Sequence, residues 1–184
     1  ARRHFPQYRQ VERLCTAAIV LRRRGNSAPG LNKVPLTLAG LEIRPGSPGD
    51  LAQIVAFLQQ VGSTKQFYPV YTTADFDNSP TTRGLSLEDF TVAWRAGKIV
   101  GLIGLWDQST YKQTVVQSYQ GSLSWLKPLY NAYLRLTKAQ PLPGPGQPIH
   151  FAYASFICLA QNDPKLFDIM LKHVYHLAVS RGYT

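Results

Sequence analysis

The feature that most constrains the fold is a pair of β-rich segments joined by a two-residue turn. Phe90–Arg95 (FTVAWR) and Lys98–Trp106 (KIVGLIGLW) flank an Ala-Gly pair. A short turn that contains glycine between two such runs predicts a β-hairpin. Gly101 and Gly104 lie inside the second run, where glycine weakens a strand. They predict either a bulge or the close approach of a ligand or another backbone.

Amphipathic helices are predicted on both sides of this hairpin. Apolar residues recur at helical spacing from Leu51 to Val61, after a Ser/Pro/Asp cluster and before Gly62. A second helical pattern covers residues 119–137 and contains a proline. A third helix begins at Asp163, a natural N-cap followed by proline, and ends near Gly182.

Two further strands complete an α+β plan. Leu41–Arg44 is a short alternating segment that a proline follows, and Ile149–Leu159 is a long apolar run expected to be a central strand. From residue 40 the order is strand, helix, loop, hairpin, helix, strand, helix. This order predicts a mixed, mostly antiparallel sheet flanked by helices.

The chain divides into three blocks. Residues 1–24 form a basic segment with a predicted strand at 13–22, and residues 25–39 have the Gly, Pro, Ser and Asn content of a linker. The main domain is expected over residues 40–184, with an insertion at about 107–147.

Composition supports a buried core and an uneven charge. Of the 184 residues, 45% are hydrophobic and 11% aromatic, which is unlike a disordered chain. Residues 1–24 carry seven arginines against Glu12 alone, so this arm holds most of the net charge of +10. The arm is either a solvated strand edge or a contact for an acidic partner, a nucleic acid or an anionic membrane surface.

The cysteines and the hydropathy pattern indicate a compartment. Cys15 and Cys158 both lie in apolar runs and read as inert buried thiols, which fits a reducing cytoplasm. No apolar stretch approaches the length of a membrane span. No nucleophilic triad, phosphate-binding loop or dinucleotide fingerprint is present, and His173 and His176 alone do not make a metal site.

Several segments, in order, resemble the GNAT superfamily of acyl-CoA-dependent N-acetyltransferases. Leu41–Leu51 (LEIRPGSPGDL) is similar to the opening strand and first helix of that superfamily, and Val92–Leu105 (VAWRAGKIVGLIGL) to its second and third strands. Phe151–Leu159 followed by Pro164–Gly182 resembles its fourth strand and cofactor-binding helix. The resemblance covers about residues 40–184.

This resemblance implies transfer of an acetyl group from acetyl-CoA to an amine, on a small molecule or a peptide. The pantetheine arm would pair with the fourth strand, and the pyrophosphate would lie at the N-terminus of the following helix. The implied cofactor-binding residues are Ile157, Cys158 and Leu159 for the arm, and Asn162, Asp163, Lys165, Leu166 and Phe167 for the pyrophosphate.

The phosphate-binding loop departs from the family pattern. The family has Gln/Arg-x-x-Gly-x-Gly/Ala, whereas this chain has Gln161-Asn-Asp-Pro-Lys-Leu-Phe, without either glycine and with an added carboxylate. The alternative function is therefore a module that has lost catalysis and binds acyl-CoA or a protein.

Two other departures concern the insertion and the end of the domain. The helix in the insertion could cover a substrate, form a homodimer contact or pack on the sheet. The resemblance stops after the cofactor-binding helix, so we expect a truncated domain. Residues 1–24 are expected to be the tail of a preceding domain in a tandem protein, the alternative being a segment that completes this domain in its own chain or in a neighbouring one. The catalytic acid and base remain unassigned. His150 and Tyr153 are candidates that strand alternation would place on opposite faces, and Glu88 and Asp89 are expected at the surface.

Overall fold

The computed structural model describes residues 17–21, 38–65, 67–77, 79–136 and 141–183. Four strands and three α-helices, joined by short 3₁₀ turns, make up the described regular structure. In chain order they are β1 (Glu42–Pro45), α1 (Leu51–Gly62), β2 (Phe90–Arg95), β3 (Lys98–Trp106), α2 (Ser122–Leu136), β4 (Tyr153–Leu159) and α3 (Pro164–Ser180). The expected α+β class and the order of elements are confirmed.

The described strands form a single antiparallel sheet in the order β1-β2-β3-β4. The predicted hairpin joins β2 to β3, and both turn residues have positive φ, 48° at Ala96 and 73° at Gly97. Two positive φ values match the twist of the paired strands. β4 lies at the edge of the described sheet rather than at its centre, so the long apolar run at residues 149–159 does not make an interior strand there.

Helices cover the two faces of the sheet. On one face α1 packs over Phe90, Val92 and Leu102, and on the other α3 packs over Ala93, Ile103 and Leu105. Alternating residues of β2 and β3 therefore enter different cores, as the two-residue period of a strand requires. Each face has its own set of buried side chains. Cys158 of β4 belongs to the set on the α1 face and Leu159 to the set on the α3 face.

Glycines in β3 explain how closely these layers approach. A Cβ on Gly101 would collide with the sulfur of Met170 in α3. A Cβ on Gly104 would press against the Phe90 ring, at 3.2 Å. The space beside these glycines is therefore filled by side chains, and not by the ligand or second backbone that the sequence led us to expect.

The register of β4 against β3 contains a bulge. Gly104 pairs with Ser155 and Leu102 with Cys158, so Phe156 and Ile157 together lie opposite Ile103. Phe156 has a φ of 53°, the left-handed conformation that often accompanies an extra residue in a strand. The extra residue of this bulge belongs to β4. The bulge predicted for the glycine-containing run is also present, because β3 has Val100 as an extra residue against Ala93 and Trp94 of β2, directly before Gly101.

The predicted helix boundaries are largely confirmed. α1 ends at Gly62, and α3 begins at Pro164 with Asp163 as its N-cap. Gly182, with a φ of 81°, follows the end of α3. α2 forms within the insertion, and Pro128 lies inside it rather than in its first turn.

Part of the N-terminal segment is described. Residues 17–21 have no regular secondary structure, and Leu21 is buried against the α3 face of the sheet. The remaining residues of the predicted strand at 13–22, with most of the basic arm, lie outside the described residues, as does Cys15. Over the described part of the chain, no helix combines the length and apolar character needed to cross a membrane.

Candidate functional site at the edge of β4

The candidate site is the edge of β4 together with the turn that leads into α3. The Ile157 side chain is 38% exposed at the bulge, while Cys158 and Leu159 are buried on opposite faces of the sheet. Of the three residues expected along the pantetheine arm, only Ile157 presents its side chain to the surface. Cys158 and Leu159 could take part only through their backbones.

Two side chains from the segment between α1 and β2 contact β4. The Lys65 amine donates to the backbone carbonyl of Ile157 over 3.3 Å, and the Tyr68 hydroxyl lies 3.1 Å from the Cys158 sulfur. Burial, together with the contact to Cys158, raises the pKa of Tyr68. Sequence reasoning missed both residues, because no periodicity marks this loop. Its aromatic residues, from Tyr68 to Tyr71, were the available signal.

The bulge places Phe156 at the centre of an aromatic cluster. Its ring centroid lies 5.0 Å from that of Tyr71, 5.3 Å from Phe90 and 6.0 Å from both Phe76 and Trp106. Offset and edge-on aromatic pairs of this kind contribute beyond their buried area. The cluster holds the left-handed residue in place, since rotating Phe156 away would break four ring contacts.

The turn after β4 contains two consecutive residues in the left-handed region. Gln161 has a φ of 57° and Asn162 a φ of 51°, and both are exposed. Asparagine tolerates this conformation better than most residues, whereas glutamine gains nothing from it. The loop therefore takes a backbone shape that glycine favours, at positions where this chain has none.

The N-terminus of α3 is already occupied by a carboxylate of the chain. Asp163 Oδ1 accepts from the backbone N–H groups of Lys165, at 2.9 Å, and Leu166, at 3.4 Å. The N–H of Phe167 donates to the Asp163 carbonyl, and Pro164 has no N–H. The donors of the first turn, which would otherwise attract an anion, are therefore all accounted for.

The remaining residues implied for the pyrophosphate point in different directions. The side chains of Leu166 and Phe167 pack against the α3 core, and the Lys165 side chain is exposed. The structure brings Asn162, Asp163 and Lys165 together at the surface. Lys165 is the residue of this group whose charge would attract a phosphate.

A cleft of about 760 Å³ opens beside the aromatic cluster. Phe76 lines it and also contacts Phe156, so the cleft adjoins the β4 bulge. Arg83 and the exposed Glu88 lie along the same cleft. The expected surface position of Glu88 agrees with this arrangement. Asp89 is partly buried. Its carboxylate accepts hydrogen bonds from Ser86 and from Arg181 at the end of α3.

His150 and Tyr153 line a second, smaller pocket of about 130 Å³ together with Lys112. The expectation that strand alternation separates the two residues is wrong, because β4 begins at Tyr153 and His150 lies before it. Burial alone would raise the pKa of Asp107, which lies near His150. Hydrogen bonds from Ser109 and Tyr183 and the charge of His150 outweigh this effect, so the pKa of Asp107 is lowered.

The described residues contain no group of three or more His, Cys, Asp or Glu side chains placed to hold a metal ion. A comparison of the chain with models of known protein families gives no match, and a comparison with curated protein sequences gives none either. The functional proposal therefore draws on the geometry of β4 and α3 and on the resemblance of their sequence.

Proposed function

We propose that this chain is a GNAT-like acyl-CoA-dependent N-acetyltransferase domain that transfers an acetyl group to an amine. The observation that carries the proposal is the outer edge of β4, which pairs with no further strand among the described residues, has a bulge at Phe156 and Ile157, and leads by a tight turn into α3. An extended thioester arm can pair with such an edge in the way that an added strand does.

In the proposed reaction the amine nitrogen attacks the thioester carbonyl carbon. The carbon–sulfur bond breaks, the coenzyme leaves as a thiolate, and a base takes the proton from nitrogen. The cleft beside Phe76 is the proposed place for the acceptor, since it adjoins the bulge and carries the Glu88 carboxylate, which would attract a cationic amine. His150 and Tyr153, the proton-transfer candidates from the sequence, line the other pocket with Lys112 rather than this cleft.

The neighbourhood of Asp163 supports a second candidate, a module that binds acyl-CoA weakly or a protein without catalysing transfer. Its carboxylate holds the donors of the α3 N-terminus and adds negative charge where a pyrophosphate would lie. A diphosphate must displace this carboxylate and overcome its repulsion. The two candidates therefore differ at Asp163.

Partners and compartment follow from the same proposal. An amine on a small molecule or a peptide is the proposed acceptor, a homodimer or a preceding domain the proposed neighbour, and an acidic molecule the proposed partner of the basic arm. We place the protein in the cytoplasm, where acetyl-CoA is available and a buried thiol such as Cys158 stays reduced.

The test is calorimetric titration of acetyl-CoA into the protein, followed by a screen of amines for acetylated products by mass spectrometry. Saturable binding with product formation supports the transferase. Binding without any product favours the non-catalytic module. If the protein binds neither acetyl-CoA nor CoA, the transferase and the acyl-CoA-binding module are both excluded, and a protein-binding module is the candidate left.

A further inference from the structure

Helix α2 turns an apolar stripe outward. Trp125, Leu129, Tyr133 and Leu136 follow one another at spacings of four, four and three residues, and so share one side of the helix. Their side chains are 70%, 70%, 59% and 83% exposed. α2 contains no buried residue, so its apolar side is not used to attach it to the sheet.

The opposite side of α2 attaches it to the protein through polar contacts. The Asn131 side chain donates to the Leu142 carbonyl, at 3.2 Å, and accepts from its N–H, at 2.7 Å. The Lys127 amine donates to the Pro143 carbonyl over 2.7 Å. A surface helix usually faces the protein with its apolar side and the solvent with its polar side. α2 has half-buried leucines, Leu126 and Leu134, on its inner side and also carries an exposed apolar stripe on its outer side, which indicates a partner there.

The charge around α2 has one sign. Residues 108–162 contain no aspartate or glutamate, and they include Lys112, Lys127, Arg135 and Lys138. Arg135 is exposed in the last turn of the helix. A partner that meets the apolar stripe also meets this positive field, and therefore carries negative charge.

The area of the stripe favours a lipid surface over a folded protein as its partner. Because each aromatic side chain buries roughly 150–250 Å², the four exposed side chains present on the order of 500 Å². A stable protein interface needs about 800 Å² from each partner, which the stripe does not reach. An amphipathic helix with Trp and Leu on its apolar side and basic residues nearby is sufficient to hold a protein at a bilayer surface.

We propose that α2 binds the surface of an anionic lipid bilayer. The helix lies parallel to the bilayer, with Trp125, Leu129, Tyr133 and Leu136 at the boundary between headgroups and acyl chains. Its 15 residues span about 22 Å along the surface. Arg135 contacts lipid phosphates or carboxylates. The cytoplasmic leaflet, which carries anionic lipids, is the surface of this kind that the proposed compartment offers.

The experiment is flotation of the whole chain with vesicles of equimolar phosphatidylcholine and phosphatidylserine, and with vesicles of phosphatidylcholine alone. Wild-type protein is expected to float with the anionic vesicles, and to do so less at high salt. Leu129→Gln should weaken binding about tenfold, the size of effect expected when one aliphatic side chain no longer leaves water. Arg135→Gln should weaken it about fivefold, as loss of one cation near a charged surface does.

Control variants test whether vesicle binding depends on α2. Val70, 81% exposed on a different part of the surface, gives the matched variant Val70→Gln, which should bind as the wild type does. Circular dichroism verifies that each variant is folded. A blue shift of tryptophan fluorescence on vesicle binding, absent in Trp125→Phe, would place the stripe in the lipid.

Three outcomes would overturn the proposal. The first is failure of the wild-type protein to float with either vesicle, and the second is flotation of Leu129→Gln to the same extent as the wild type. The third outcome is a dimer in solution that Leu129→Gln converts to a monomer without any vesicle binding, which would assign the stripe to a second copy of the chain.

Discussion

Met170 of α3 lies against Gly101 of β3 so closely that a methyl group on residue 101 would overlap its sulfur. The contact joins the centre of the sheet to the middle of the helix, and both residues are fully buried or nearly so. Glycine is required here by space rather than by backbone conformation.

Gly101→Ala should therefore destabilise the fold by overpacking. We expect the free energy of unfolding to fall by about 1–3 kcal/mol, measured by urea denaturation. Gly49→Ala is the matched control, since a Cβ there meets only the Ser47 hydroxyl, at 3.9 Å. Equal stability of Gly101→Ala and the wild type would contradict the packing described for β3 and α3.

In contrast to the substitution at Gly101, a substitution at Gln161 should increase the stability of the fold. A non-glycine residue in the left-handed region costs roughly 1–2 kcal/mol, so Gln161→Gly is expected to raise the stability by about 1 kcal/mol. The comparison is Gln60→Gly on the exposed side of α1, where glycine should lower stability by about 1 kcal/mol. The two substitutions are chemically identical, and only the local φ predicts their opposite signs.

Asp163→Asn tests whether the N-terminus of α3 can receive a pyrophosphate. Asparagine caps a helix about as well as aspartate but carries no charge, so the fold should be unaffected. Under the transferase proposal the affinity for CoA, measured by calorimetry, should rise about tenfold, because the repulsion between carboxylate and diphosphate is removed. Pro164→Gly, which restores an N–H without changing charge, should have a smaller effect. An unchanged affinity in Asp163→Asn would show that any phosphate lies elsewhere.

Asp50 is a buried carboxylate in the turn before α1, and we expect it to stabilise the fold more than Asp75 does in a similar turn. It accepts hydrogen bonds from the Arg44 guanidinium at 2.7 and 2.9 Å, and from Ser47 N–H and hydroxyl at 2.9 and 2.6 Å. Since hydrogen bonds to charged groups contribute about 1.5–3 kcal/mol, Asp50→Asn should lower the free energy of unfolding by about 2 kcal/mol. The control is Asp75→Asn, which has the same Thr/Asp turn motif without an arginine and should have a smaller effect.

The effect of Asp50 should disappear in acid. The hydrogen bond from Arg44 is the main reason that the pKa of Asp50 lies well below its usual range, and bonds from Ser47 add to the shift. A lowered pKa stabilises the fold above the unfolded value of about 4 and is lost as pH falls below it. The stability difference between wild type and Asp50→Asn should therefore be full near pH 7 and shrink as the pH falls below about 4. A difference independent of pH would contradict this account.

The local signals of the sequence predicted the elements well, because each depended on neighbouring residues. The Ala96-Gly97 turn, the Asp163 cap and the periodicity of α1 are short-range features that tertiary packing did not override. Gly101 correctly indicated the bulge at Val100 in β3. The glycines could not tell that side chains of Met170 and Phe90, rather than a ligand or another backbone, fill the space beside them, since this depends on packing between distant elements.

The candidate site was harder to predict for the same reason. Strand alternation predicts opposite faces for His150 and Tyr153. Because β4 starts only at Tyr153, alternation does not apply to His150, and the two residues line the same pocket. The contacts of Lys65 and Tyr68 with β4 join residues about ninety positions apart, and no local pattern signals them. The outward stripe of α2 was also hidden, because periodicity identifies an apolar side without telling which way it faces.

The bulge in β4 has a consequence for how this strand can vary. Ser155 and Cys158 lie opposite Gly104 and Leu102, which are on the same face of the sheet, although an unbroken strand would direct residues three apart to opposite faces. The first and second halves of β4 are thus in opposite phase. Pairing all seven residues of β4 as an unbroken strand would turn one half of it to the opposite face, whereas deletion of one residue at the bulge would leave Ser155 and Cys158 opposite the same partners. The left-handed conformation of Phe156 therefore determines which side chains of β4 enter each core, and a substitution that disfavours this conformation should affect residues beyond its own position.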